Sequence, residues 1–125
     1  MASEPLNEPI LSYGPGSPER SELRAEIARQ SDNPAFIPLR LGGASGAATL
    51  PMRAPHRHDL HLGDYEVATA QDVRRAISRA LAARSDWAAR DLESRTAIFR
   101  RAAELLEGRF RQRLNAATVL GQSKT

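Results

Sequence analysis

The sequence contains no cysteine, which excludes disulfides, thiolate metal ligands and a cysteine nucleophile within these 125 residues. Aromatic residues are scarce, at 5%, so a core has to be built from Leu, Ile, Val and Ala. Lysine is nearly missing: of 18 basic residues only Lys124 is not an arginine. No apolar run approaches the roughly 20 residues that cross a bilayer, so a membrane is not an expected partner. The opening Met1-Ala2-Ser3-Glu4-Pro5 has neither the basic start nor the apolar stretch of a secretory signal. A soluble, cytoplasmic protein is the expectation.

Hydrophobic residues make up 41% of the chain, which suits a globular domain rather than a disordered one. Net charge is +3 and the pI about 10.2. A nucleic-acid binder gathers such charge on one face, among aromatics that stack on bases. Here Arg alternates with Glu and Asp along helical stretches, as on the solvated side of amphipathic helices. Nucleic acid is therefore not expected as a partner. An arginine-driven binder is the rival, and steep salt dependence would mark it.

Residues 1–18 hold Pro5, Pro9, Gly14, Pro15, Gly16 and Pro18. Proline lacks the N–H donor and glycine resists ordering, so this stretch reads as an extended arm. Ser17-Pro18-Glu19 then opens a helix: a hydroxyl to cap, proline in the first turn, a carboxylate at the positive end. Leu23, Ile27 and Ala28 give it a thin apolar stripe, and Asn33-Pro34 ends it. Phe36 to Leu41 and Thr49 to Arg53 are short apolar runs around Gly42-Gly43-Ala44-Ser45-Gly46. The pair reads as a β-hairpin, with Pro38 placing the first strand at an edge. Leu60, Leu62 and Tyr65 to Ala68 form a third extended piece.

The second half reads as helical. Thr69 to Asp72 is a capping-box start. Val73, Ile77, Leu81 and Arg84 fall on one face, with Ala76 and Ala80 beside them. Asp86 or Asp91 caps the next helix, whose apolar face is Leu92, Phe99, Ala103 and Leu106, widened by Ile98, Ala102 and Leu105. Gly108 suits its end, where a left-handed residue is wanted. Phe110, Leu114, Ala117 and Leu120 mark a last helix, ending at Gly121. Three amphipathic helices beside two or three weak strands need something more to pack on. The chain thus reads as α+β, and as the front piece of a larger protein.

Four places invite a chemical reading. His56, His58 and His61 could share a metal, but Pro55 opposes a helix and no fourth ligand is evident beyond Asp59 or Asp64. Gly121-Gln122-Ser123-Lys124-Thr125 echoes a phosphate loop, yet Ser123 stands where glycine is required and a helix precedes it instead of a strand. Gly43-Ala44-Ser45-Gly46 approaches a nucleophile elbow, but Ala47 occupies the second glycine position. Trp87, placed between two helices, reads as a packing residue at their junction. None of these is assigned: no catalytic, cofactor-binding or metal-binding residue is expected in this chain.

Several segments together carry a resemblance. Ala76-Ile77, Ala80 to Arg84, Trp87, Arg95, Ile98-Phe99, Ala102-Ala103, Leu105-Leu106 and Thr118 to Thr125 resemble the amino-terminal helices of the aldehyde dehydrogenase superfamily. Asn7 to Ile10, Gly16 to Arg20, Ile37-Pro38 and Pro55-His56 with His58 resemble its delta-1-pyrroline-5-carboxylate dehydrogenase branch. The Gly42–Ala48 turn, Arg57 and Leu60 depart from that branch. The resemblance implies NAD-dependent oxidation of L-glutamate 5-semialdehyde to L-glutamate in proline breakdown, in a homo-oligomer. A cysteine thiolate attacks the aldehyde, hydride passes to the nicotinamide, and a Glu-activated water releases the acid. None of those groups maps onto a residue here. The resemblance further implies residues 1–18 as an arm and 19–125 as the incomplete amino-terminal portion of an α/β dehydrogenase domain, inactive and loosely folded alone. A non-enzymatic helical interaction module is the alternative.

Overall fold

The computed structural model describes residues 7–41 and 48–124. Helix α1 (Pro18–Asp32) begins as expected: Ser17 Oγ accepts the Arg20 N–H at 3.3 Å, with Pro18 and Glu19 in the first turn. It stops at Asn33, whose backbone N–H and side-chain amide both donate to the Arg29 carbonyl, at 3.1 and 2.8 Å. These two bonds occupy a carbonyl that the helix end would leave open.

Three strands follow, β1 (Ala35–Ile37), β2 (Ala48–Ala54) and β3 (Arg57–Val67), in the order β1-β3-β2. The expected hairpin partner is corrected here. The first strand does not pair with the second; it runs parallel to β3, with Ala35 opposite Gly63. The hairpin joins β2 and β3 through Pro55-His56, with Leu50 opposite Tyr65 and register shifts on either side of Arg53. The Gly42–Gly46 segment read as the hairpin turn lies outside the described residues. β1 is an edge strand and stops at Ile37, before Pro38, as proline's missing donor requires. Gly63 makes the parallel pairing possible: its φ is +144°, and a Cβ there would lie 1.9 Å from the Ala35 carbonyl oxygen.

Helix α2 (Ala70–Ala89) carries the capping box. Asp72 accepts from the Thr69 N–H at 2.8 Å, while Thr69 Oγ1 accepts from the Asp72 N–H at 3.1 Å. The helix runs past Asp86 and takes Trp87 into its last turn, so Trp87 does not lie between helices. Asp91 is the cap of α3 (Leu92–Glu107), accepting from the Ser94 N–H at 2.8 Å. Gly108 closes α3 at φ −101°, not in the left-handed region. Helix α4 (Arg111–Gln122) ends one residue beyond Gly121, and it is Ser123 that turns left-handed, at φ 54°.

α1 packs along α4, and both touch the sheet, α1 at β3 and α4 at β2. Among the described residues the buried apolar side chains are Ala54, Ala116 and Leu120. The arm is fastened to α4. Arg111 donates to the Pro9 carbonyl at 2.9 Å, and the Tyr13 hydroxyl donates to Gln112 Oε1 at 3.2 Å and accepts from Asn115 Nδ2 at 3.0 Å. Gln30 Nε2 crosses from α1 to the Arg113 carbonyl at 2.9 Å. Tyr13 was not singled out from sequence; an aromatic hydroxyl in a Pro/Gly-rich arm was the available signal.

Candidate functional site

His56 and His61 serve separate ends, and of His58 it is the backbone carbonyl that accepts, from Arg53 Nη1 at 3.1 Å. His56 Nδ1 lies 3.0 Å from Ser123 Oγ, linking the hairpin turn to the end of α4, and His61 Nε2 lies 3.4 Å from Asp64 Oδ2. Among the described residues no three His, Cys, Asp or Glu side chains converge as metal ligands. The phosphate-loop echo lies on the last turn of α4, with Gly121 inside the helix; Thr125 and the Gly43–Gly46 segment lie outside the described residues. Trp87 meets Phe99 edge to face, with centroids 6.4 Å apart.

Carboxylates held in their charged form cap or brace the helices. Asp72 is lowered to about 2 by the Thr69 hydroxyl and N–H and then by Arg75. Glu26 is lowered to about 2, first by its hydrogen bond from Arg29 and then by that from Gln30. Asp91 is lowered by the Ser94 hydroxyl and N–H. These groups also bear on dinucleotide binding. A pyrophosphate needs free N–H groups at a helix start, normally after a glycine-rich turn. The starts of α1, α2 and α3 are each filled by a side-chain cap and carry Glu19, Asp72 and Glu93 in the first turn. α4 lacks a side-chain cap, but it follows α3 directly through Gly108–Phe110. The described residues do not fit a dinucleotide.

What stands out instead is uncovered apolar surface. On α2, Val73, Ile77 and Leu81 are 47%, 55% and 63% exposed. On α3, Leu92, Ile98, Phe99 and Leu106 lie at least half open. A cleft of about 580 Å³ runs between α1, the sheet and α4, lined by Phe36, Ile37, Met52, Leu106 and Leu114 among others. Arg84 closes the stripe of α2, three residues after Leu81, and is exposed; Arg95 lies within that of α3, three after Leu92 and four before Phe99, and is half-buried. Arg95 Nε is buried and has no hydrogen-bond partner among the described residues. The apolar spacing of α3 passes over Arg95, which is why sequence reasoning left it out of the face.

Residues 43–125 match the profile of the aldehyde dehydrogenase family. The chain belongs to that family. Across 94% of its length it is 41% identical to a delta-1-pyrroline-5-carboxylate dehydrogenase of Agaricus bisporus, and across 95% it is 34% identical to a mitochondrial one of Bos taurus. It spans 22% of each of those relatives. The crystal structure of the Mycobacterium tuberculosis delta-pyrroline-5-carboxylate dehydrogenase bound with NAD and cobalamin superposes on all of the chain at a TM-score of 0.92 and 43% identity. The chain covers 24% of that structure. The aldehyde dehydrogenase fold thus accounts for the α+β arrangement of four helices and a small sheet found among the described residues.

Proposed function

We propose that the chain supplies the amino-terminal portion of an NAD-dependent dehydrogenase that oxidises L-glutamate 5-semialdehyde to L-glutamate. One observation carries the reading. The likeness to named delta-1-pyrroline-5-carboxylate dehydrogenases runs through arm, sheet and helices alike, at 43% identity and a TM-score of 0.92. A helical interaction module, the alternative from sequence, would account for the open face of α2 and α3 but not for the likeness in the arm and sheet.

In this reading NAD and the small-molecule aldehyde are bound by residues beyond these 125. The chain's own work is to hold the arm against α4 and to present α2 and α3. Assembly as a homo-oligomer and a cytoplasmic setting belong to the same proposal. Because several relatives are named mitochondrial, fractionation of the producing cells decides the compartment.

The test follows NADH absorbance with glutamate semialdehyde and NAD. The 125-residue chain gives no turnover, and a longer polypeptide that continues it into the rest of the family fold does. Turnover by the chain alone, or a longer form that oxidises other aldehydes but not this one, overturns the reading.

A further inference from the structure

Helix α4 starts with less of its own support than the other helices. In α1, α2 and α3 a side chain accepts from an N–H of the first turn, whereas Phe110 precedes α4 without such a bond. The arm reaches this start from outside. Arg111 donates to the Pro9 carbonyl, and Gln112 and Asn115 both meet the Tyr13 hydroxyl. One tyrosine thus joins two side chains at the start of α4.

Tyr13 holds that position in an unfavourable conformation. Its φ is 50°, in the left-handed region, which a bulky L-residue keeps only when its surroundings oppose relaxation. Glu19 supplies the opposition. Its Oε1 accepts from the Tyr13 N–H and from the Ser12 hydroxyl, both at 3.3 Å. The Ser17 N–H donates back to the Gly14 carbonyl at 3.1 Å and closes the turn. An ionised carboxylate is a much stronger acceptor than a protonated one, so these long bonds depend on its charge. The Glu19 carboxyl is held below its ordinary 4.5, first by its own backbone N–H, against the effect of burial. The Tyr13 N–H and the Ser17 and Ser12 hydroxyls add to the lowering. Among the described residues no charged side chain of the arm, α1 or α4 contributes to it or pairs with it. The clasp therefore answers to the Glu19 proton alone.

We propose that residues 7–16 form a strap that Glu19 clasps through Tyr13, bracing the start of α4 when closed and releasing it when Glu19 takes up a proton. The folded carboxyl titrates below its ordinary value, so the closed strap is complete above 4.5 and is lost as pH falls from there. Ile10, fully exposed on the closed arm, contributes nothing to holding it. The strap does not depend on the function proposed above.

Nitrogen-15 relaxation of the 125-residue chain, followed residue by residue against pH, tests it. Near neutral pH the amides of Ile10, Ser12, Tyr13 and Gly14 are expected to show order parameters close to the roughly 0.85 of rigid backbone, and below about 0.6 once Glu19 is protonated. Glu19→Gln keeps an acceptor oxygen that takes no proton in this range, and its arm is expected to stay ordered across the same pH range. Glu19→Ala leaves the arm mobile at every pH. Tyr13→Phe removes both hydroxyl bonds. It is expected to loosen the arm and residues 112–115 together, while α1 and β3 keep their order and so show that the fold survives. An ordered arm in Glu19→Ala, loosening of Glu19→Gln at the same pH as the unaltered chain, or a start of α4 indifferent to Tyr13→Phe would each overturn the strap.

Discussion

The arm, α1, the sheet and α4 form one region; α2 and α3 form another. The first is tied together across about a hundred residues of sequence, by Arg111 to Pro9 and by Tyr13 to Gln112 and Asn115. In the second every side-chain hydrogen bond among the described residues stays within its own helix or cap, as in Thr69–Asp72, Asp91–Ser94 and Arg101–Glu104. Good caps start a helix, but most helical stability in proteins comes from a covered apolar face. The first region covers its surface only in part, burying Ala54, Ala116 and Leu120 while Phe36, Ile37, Leu50 and Leu114 stay open. The second leaves its apolar stripes open.

The sharpest way to break that contrast is a pair of substitutions. Gly63→Ala places a methyl group into the Ala35 carbonyl at a φ that L-residues rarely adopt. It is expected to cost about 3 kcal/mol or more and to release β1. Leu81→Ala, on the open face of α2, removes a larger side chain that touches little, and is expected to stay within about 0.5 kcal/mol. Denaturant titration of both variants checks this. Equal losses would mean that α2 is packed after all.

A smaller effect separates the regions by pH. Glu26 and Asp72 titrate at about 2 in the fold, below their ordinary 4.5 and 3.8. The unfolded chain therefore binds protons first. Their contribution is complete above those ordinary values and fades as pH falls from there towards 2. Helical circular dichroism is expected to decline across that window. Asp72→Asn is expected to remove only the share of α2, leaving the Glu26 share in α1. A decline unchanged by Asp72→Asn would place the loss elsewhere.

Much of this was legible in the sequence. Ser17-Pro18-Glu19 and Asn33-Pro34 bounded α1 to the residue, and Thr69 with Asp72 opened α2, because caps are local chemistry. Strand partners were less legible. Phe36–Ile37 looked extended, but nothing local says that its neighbour is β3 and that the pairing is parallel; Gly63, far along the chain, decides that. The glycines at 42–46 drew the hairpin away from Pro55-His56, which lacks a strong turn signature. Trp87 was misplaced because Asp86 looked like a cap, while Ala88-Ala89 carry the helix on. Of the candidate face, Arg84 was visible on its stripe. Arg95 was hidden, since an arginine inside an apolar spacing reads as an interruption until its buried nitrogen is seen.

Hydrogen exchange on the chain in solution tests the central claim most directly, because protection reports how far each segment opens on its own. Amides in α1, β3 and α4 are expected to exchange slowly and those of α2 and α3 close to the rate of fraying helices. Uniform protection across all four helices of a monomer would show that α2 and α3 need no further surface, and would contradict the account.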